Sequence, residues 1–371
     1  MNRRTFLMTA TATGASAAGA ALLPGSASAS GGLSARVRRA LDQALASGAP
    51  GAVCGVIQDG QTYVAGAGRL RATRGRAEVP DGSTVFQLGS IGKTLTATAL
   101  ARAVHAGSTH LDAPLTLPAR FPVPRKGGRR ITLADLATHS SGLPALPPNL
   151  FTGADPNDPY AHYTLDDLAE GLAKTELVTV PGKTYRYSNL GFGLLGQALA
   201  FDGVDAMLRR RVTDPLRLRD TRTTLTADMA ARKAVGHLEG KPVPDWHDRV
   251  LSGAGTSMYS TADDMLRYLA AQLRPERSPF RAAIELTQRP RFTADDRLRL
   301  GLGWHLSPLP NGRTMTWHNG GTGGFSSCAA FSRDSGTAVV MMVNTASEET
   351  ADQARPVDAL TMKLLRELDA A

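Results

Sequence analysis

The stretch Phe86-Gln87-Leu88-Gly89-Ser90-Ile91-Gly92-Lys93, running on into residues 94–104, decides how the rest of the chain is read. Its first residues are apolar, and from Thr94 onward it is rich in Ala and Leu, which predicts a helix. A spacing of three puts Ser90 and Lys93 on one helical face, within hydrogen-bonding reach. A serine hydroxyl is a weak nucleophile and needs a base beside it. A lysine serves when desolvation holds it neutral part of the time. At a helix start the serine also has unpaired backbone N–H groups at hand for an oxyanion. Taken alone, a Ser-x-x-Lys pair is commonplace, an N-cap serine followed by a solvated lysine.

Two later motifs give the pair company. Tyr187-Ser188-Asn189 follows Val180-Pro181-Gly182-Lys183 and precedes a helical pattern over 191–201. A phenol whose proton is drawn off by nearby cations can pass protons to and from a nucleophile and a leaving group, and the Asn189 amide can hold a substrate carbonyl. His318-Asn319-Gly320-Gly321 lies in a glycine-rich run from Trp317 to Phe325. Gly320 lets a substrate backbone approach a strand edge closely. The N–H of Gly321 is a candidate oxyanion donor, and His318 a candidate source of charge or a proton near an acidic substrate end. Each motif, on its own, reads equally as a packed turn or hairpin.

Working outward, Leu33, Val37, Leu41 and Leu45 predict an amphipathic helix over 33–47. Apolar runs at 52–58 and 62–67 flank Asp59-Gly60, a hairpin signal. Thr132 with Asp135 resembles a capping box, and residues 144–159 are rich in Pro, Asn, Asp and Gly, hence a loop. Further helices are expected over 165–172, after the Ser260–Asp264 cap to Leu273, and over 358–368, with strands over 314–318, 326–331 and 337–344. Strands at both ends with helices between predict an α+β fold: one antiparallel sheet built from both chain ends and flanked by helices, with a mainly helical inserted region. The expected division is residues 30–105 with 250–371 as an α/β lobe, and 106–249 as a mainly helical lobe.

Residues 1–29 read as an export leader. Arg3-Arg4 followed by Phe6-Leu7 resembles a twin-arginine signal, a weakly apolar stretch runs to Leu23, and Ala27-Ser28-Ala29 offers a cleavage site. About 340 residues remain, enough for a large core or two lobes sharing a cleft. No run reaches the roughly 18 apolar residues a membrane span requires. Hydrophobic residues make up 42% and charged residues 20%, which excludes wholesale disorder. The formal charge of +9 fits an arginine-rich soluble surface or a basic face near anionic envelope polymers. No nucleic-acid motif accompanies it. Cys54 and Cys328 each sit in an apolar, strand-like run and read as buried small hydrophobes. The eight histidines show no ligand spacing, so no metal is expected.

In order and spacing together, the three motifs resemble those of the serine β-lactamase and penicillin-binding superfamily, most closely its class C branch with the related D-Ala-D-Ala carboxypeptidases and esterases. The resemblance extends through residues 131–144, the Asp214-Pro215-Leu216 turn, Gly303-Trp304 and Asn344. It implies that Ser90 is acylated, that Lys93 and Tyr187 share the proton work, that Asn189 orients the acyl part, and that the N–H groups of Ser90 and Gly321 form the oxyanion hole, with no cofactor. Where most β-lactamases carry Lys-Thr-Gly, this chain has His318-Asn319-Gly320, a form more like that of the branch's peptidases and esterases. The expected function is that of an exported or cell-envelope serine hydrolase acting on small molecules or peptidoglycan peptides: D-Ala-D-Ala-type peptides, β-lactams or both. Alternatives are an esterase, amidase or acyl transferase on small acyl substrates, and a non-catalytic penicillin-binding protein.

Overall fold

The computed structural model describes residues 24–70, 78–347 and 355–370. The twin-arginine run lies outside them, and Ala27-Ser28-Ala29 falls within the first helix, α1 (Pro24–Ala46). That helix starts earlier than the apolar spacing indicated, because the spacing marks only the part that packs: Val37, Leu41 and Ala44 are buried against the sheet.

The sheet begins with the hairpin β1 (Gly51–Gln58) and β2 (Gln61–Gly68). Asp59 and Gly60 turn it with φ of 52° and 74°, the pair of left-handed residues a two-residue hairpin favours. The chain then leaves the sheet. A short strand β3 (Phe86–Gln87) leads into α2 (Gly92–His105), and α3 (Leu133–Ala137), α4 (Leu165–Ala173), α5 (Asn189–Leu199), α6 (Val204–Leu208) and α7 (Ala227–Ala231) follow. The small hairpin β4 (Gly236–Leu238) and β5 (Lys241–Val243), then β6 (Tyr259–Ser260), α8 (Ala262–Leu273) and α9 (Arg281–Gln288), bring the chain back. β7 (Phe292–Thr293), β8 (Arg299–Leu300), β9 (His305–Pro308), β10 (Thr314–Gly321), β11 (Ser326–Ser332) and β12 (Thr337–Val343) complete the sheet, and α10 (Pro356–Asp369) covers it. Strand order is β2-β1-β12-β11-β10-β9-β8-β7, antiparallel throughout. The expected α+β architecture holds: β1 pairs with β12, so the two chain ends share one sheet.

The central strands are buried on both faces, which is why β12 reads as a nearly continuous apolar run and β11 carries only small or apolar residues. Val340 and Met342 point into a core with Leu266 and Leu269 of α8, while Val339 and Met341 point the other way, toward α1 and α10. Cys54 and Cys328 are buried and stand on either side of Met341, two strands apart. That is about 10 Å, beyond disulfide reach.

The capping box at Thr132 forms, with the Asp135 N–H donating to the threonine hydroxyl and the Asp135 carboxylate accepting from the Thr132 N–H. Thr164 and Asp167 repeat it on α4, and Thr261 caps α8. Helix α2 is buried on nearly all sides and serves two cores at once: Leu95 and Ala99 join the sheet-side core, Ala97 and Leu100 the helical one. Its threonines are tolerated because each hydroxyl is bonded, Thr94 to Ile91 O, Thr96 to Gly253 O and Thr98 to Thr94 O.

Candidate active site

Ser90 sits in a tight turn between β3 and α2. The Leu88 N–H donates to Met258 O at 2.6 Å, and Ser327 Oγ donates to Leu88 O at 2.7 Å, so β11 and the segment before β6 hold the turn from two sides. Gly89 takes φ 60°, a left-handed conformation. Gly320 of β10 lies flat on this turn: a Cβ there would stand 2.1 Å from Leu88 O and 3.0 Å from Ser90 N. The backbones of Ser90 and Gly320-Gly321 are therefore in contact, which brings the two expected oxyanion donors to one place.

Lys93 is completely buried. Its Nζ donates to Ser90 Oγ at 2.8 Å, to Asn189 Oδ1 at 2.7 Å and to Ala254 O at 2.8 Å. The ammonium also lies 4.9 Å from the centre of the Tyr187 ring. Burial pushes the Lys93 pKa well below the ordinary lysine range, opposed in part by the buried Asp248. The Asp248 carboxyl is itself pushed up to about 6 by burial, against hydrogen bonds from Thr256 and the Leu251 N–H. Ser90, Lys93, Tyr187 and Asn189, read from two separate motifs, thus converge.

The third motif divides between the cleft wall and the core. Gly321 and Asn319 line the cleft, but His318 is fully buried behind it. Its Nδ1 lies 2.6 Å from Asn319 O, its ring stacks on His305 with centroids 4.9 Å apart, and burial with the charges of His305 and Lys93 holds its pKa well below the usual value. Burial and these neighbouring charges disfavour the charged imidazolium. Beside Gly321 lies Arg355, whose guanidinium is 2.9 Å from where a Gly321 Cβ would stand. Asn319 donates to the buried Asp358 of α10 at 2.7 Å.

Five rings form a closed belt here. His139 stacks on Tyr187 at 4.3 Å, Tyr187 lies tilted against His318 at 6.3 Å, His318 stacks on His305, His305 meets Tyr185 edge-on at 6.4 Å, and Tyr185 meets His139 edge-on at 6.1 Å. Among the described residues, no group of three or more His, Cys, Asp or Glu side chains could hold a metal ion.

A cleft of about 940 Å³ opens onto Ser90. Beside Asn189 its wall is apolar: Leu146 and Phe151 from the 144–159 loop, with Tyr160 and Trp246, whose rings are 5.5 Å apart. Gln87, three residues before Ser90, fixes Trp246 by donating to its carbonyl at 2.7 Å and accepting from its N–H at 3.1 Å. Asp158 ties the same loop to the Trp246 segment by accepting from the His247 N–H at 2.8 Å. Gly321 and Arg355 also line the cleft. Sequence reasoning missed Arg355, His139, His305, Gln87 and Trp246. Gln87 lies in the stretch before Ser90 and His139 within residues 131–144, but only the fold brings them to Trp246 and Tyr187.

The Beta-lactamase family model matches residues 37–363. The chain belongs to this family. It is 30% identical over 300 residues to the D-alanyl-D-alanine-carboxypeptidase/endopeptidase AmpH of Escherichia coli (strain K12), spanning 75% of either chain. It is 26% identical over 334 residues to a β-lactamase of the same strain, spanning 80% of this chain and 84% of that one. The solved β-lactamase/D-alanine carboxypeptidase from Yersinia pestis, complexed with citrate, superposes with a TM-score of 0.76 at 24% identity, over 91% of this chain and 98% of that one, which shows a shared fold. The chain is accordingly a serine hydrolase of the β-lactamase and D-Ala-D-Ala carboxypeptidase kind.

Proposed function

We propose that the protein is an exported acyl-enzyme hydrolase in which Ser90 is acylated by amides with a carboxylate on the leaving-group side, D-Ala-D-Ala-type peptides and β-lactams among them. One observation carries this reading: Lys93 Nζ lies 2.8 Å from Ser90 Oγ in an environment that disfavours its charge. Neutral Lys93 takes the hydroxyl proton as Oγ bonds to the carbonyl carbon. The negative charge that develops on oxygen meets the N–H groups of Ser90 and Gly321. The carbon–nitrogen bond breaks, and Tyr187 hands the proton on from Lys93 to the leaving nitrogen. Water then cleaves the Ser90 ester by the reverse proton path. Arg355 is suited to a leaving-group carboxylate, and the wall of Leu146, Phe151, Tyr160 and Trp246 to an apolar acyl group.

The second reading, an esterase or amidase of small acyl substrates, draws on the third motif: His318 is buried, and Asn319 is bound to Asp358. Intact-protein mass after brief exposure to benzylpenicillin, beside Ser90→Ala, separates the two. A Ser90-dependent adduct, or Ser90-dependent consumption of the drug, supports the first reading. Intact drug with Ser90-dependent cleavage of short aryl esters supports the second. Cleavage that survives Ser90→Ala sinks both. Export by the twin-arginine leader belongs to the same proposal, and an Arg3→Lys, Arg4→Lys double variant retained inside the cell is its test. Among the described residues, no helix is long and apolar enough to cross a membrane.

A further inference from the structure

We infer that His139 is a positioning residue for Tyr187, bracketing it from both sides and from beneath. The His139 carbonyl accepts from the Arg186 N–H at 2.7 Å, and its Nδ1 accepts from the Ser188 N–H at 3.1 Å. Between these two anchored amides stands Tyr187, and the imidazole stacks on its ring at 4.3 Å, with 27° between the planes. One residue therefore fixes the backbone before Tyr187, the backbone after it, and the face of the phenol. The next residue along, Asn189, is the one that accepts from Lys93. A backbone φ of 56° is what lets the carbonyl and the ring of His139 reach the same segment.

The hydrogen bond also specifies the protonation state. Nδ1 accepts, so it carries no proton, and in the neutral ring the proton is on Nε2. The titratable groups that bear on this ring are Lys93 from α2, His305 from β9, His318 from β10, and Tyr185 and Tyr187 from the segment before α5, and the Phe192 ring of α5 packs on it at 4.9 Å. Burial first, then the charges of Lys93, His305 and His318, hold the His139 pKa well below its ordinary value. A proton on Nδ1 would set a donor against the Ser188 N–H and break the bracket.

The inference rests on the acyl-enzyme reading, and its test separates the two. His139→Phe keeps a ring face and deletes the acceptor, whereas His139→Asn restores an acceptor near the Nδ1 position without the ring. Expected for His139→Phe is a kcat about 10- to 100-fold lower on a Ser90-dependent substrate with little change in KM, the scale of a misplaced catalytic group. His139→Asn recovers most of it. In a Tyr187→Phe background, His139→Phe costs less than about three-fold more, since there is no phenol left to position. Independently of catalysis, hydrogen exchange at the Ser188 amide accelerates at least about ten-fold in His139→Phe but not in His139→Asn. Unchanged Ser188 exchange in His139→Phe, or an equal loss with and without the Tyr187 hydroxyl, overturns the inference. Activity that persists in Ser90→Ala overturns the acyl-enzyme reading instead and leaves the exchange measurement to decide the role of His139.

Discussion

Replacing Lys93 by Met separates catalysis from stability, because the same burial that makes the lysine reactive makes it a poor structural element. Met occupies similar space without the ammonium. The substitution leaves Asn189 Oδ1 and Ala254 O without their lysine donor, at about 1–3 kcal/mol for each buried acceptor. Against this, a lysine in a fully buried site costs several kcal/mol, either in burying its charge or in giving up its proton, that a thioether does not. The two sums are of the same size, so the unfolding temperature is expected to move by no more than about 5 °C. Activity has no such offset. Losing the base that sits 2.8 Å from Ser90 Oγ lowers the acylation rate by about 10²- to 10⁴-fold, or roughly 3–5 kcal/mol of barrier. Linkage gives a further signature. The folded Lys93 pKa lies below 10.5, so the unfolded chain binds more protons in that interval. Wild-type stability therefore rises with pH up to the ordinary lysine value, and Lys93→Met lacks this rise. Stopped-flow acylation by a chromogenic ester, with thermal unfolding on the same sample, measures both quantities. Acylation within ten-fold of wild type, or a melting temperature that collapses along with activity, would refute the argument.

Three more outcomes are expected. Burial holds the His305 pKa at about 4 rather than 6.5, so its contribution is present above pH 6.5 and is lost as pH falls toward 4. Urea midpoints should show His305→Phe losing about 3 kcal/mol less than wild type between pH 7 and pH 4. Arg355→Gln should lower kcat/KM about 10- to 100-fold on substrates with a leaving-group carboxylate and leave neutral esters nearly untouched; equal losses on both would remove Arg355 from substrate recognition. Gly320→Ala places a Cβ 2.1 Å from Leu88 O, and the backbone shift it forces should destabilise by about 1–3 kcal/mol and cut acylation sharply, whereas a normal acylation rate would mean that β10 does not press on the Ser90 turn.

Local chemistry was legible along the chain wherever it is written in neighbouring residues. Thr132 with Asp135, Thr261 before α8, and Asp59-Gly60 between β1 and β2 declared their caps and turn, since each motif closes within a few positions. Helix α2 and the Ser90–Lys93 spacing were visible for the same reason, and so was an antiparallel sheet drawn from both ends. Strands β7, β8 and β9 were not, because runs of two to four residues carry no periodicity and exist only through successive pairing, β9 on β10, β8 on β9 and β7 on β8. The chemistry of the site was likewise a tertiary decision. Lysine is charged by default, and Lys93 departs from that only because α5 and the segment ending at Ala254 close around it. His318 looked like a source of charge in its motif, but His305 and the sheet bury it, while Arg355 reaches Gly321 from outside every motif. Burial and long-range contact set those charges, and neither is encoded in the spacing of residues along the chain.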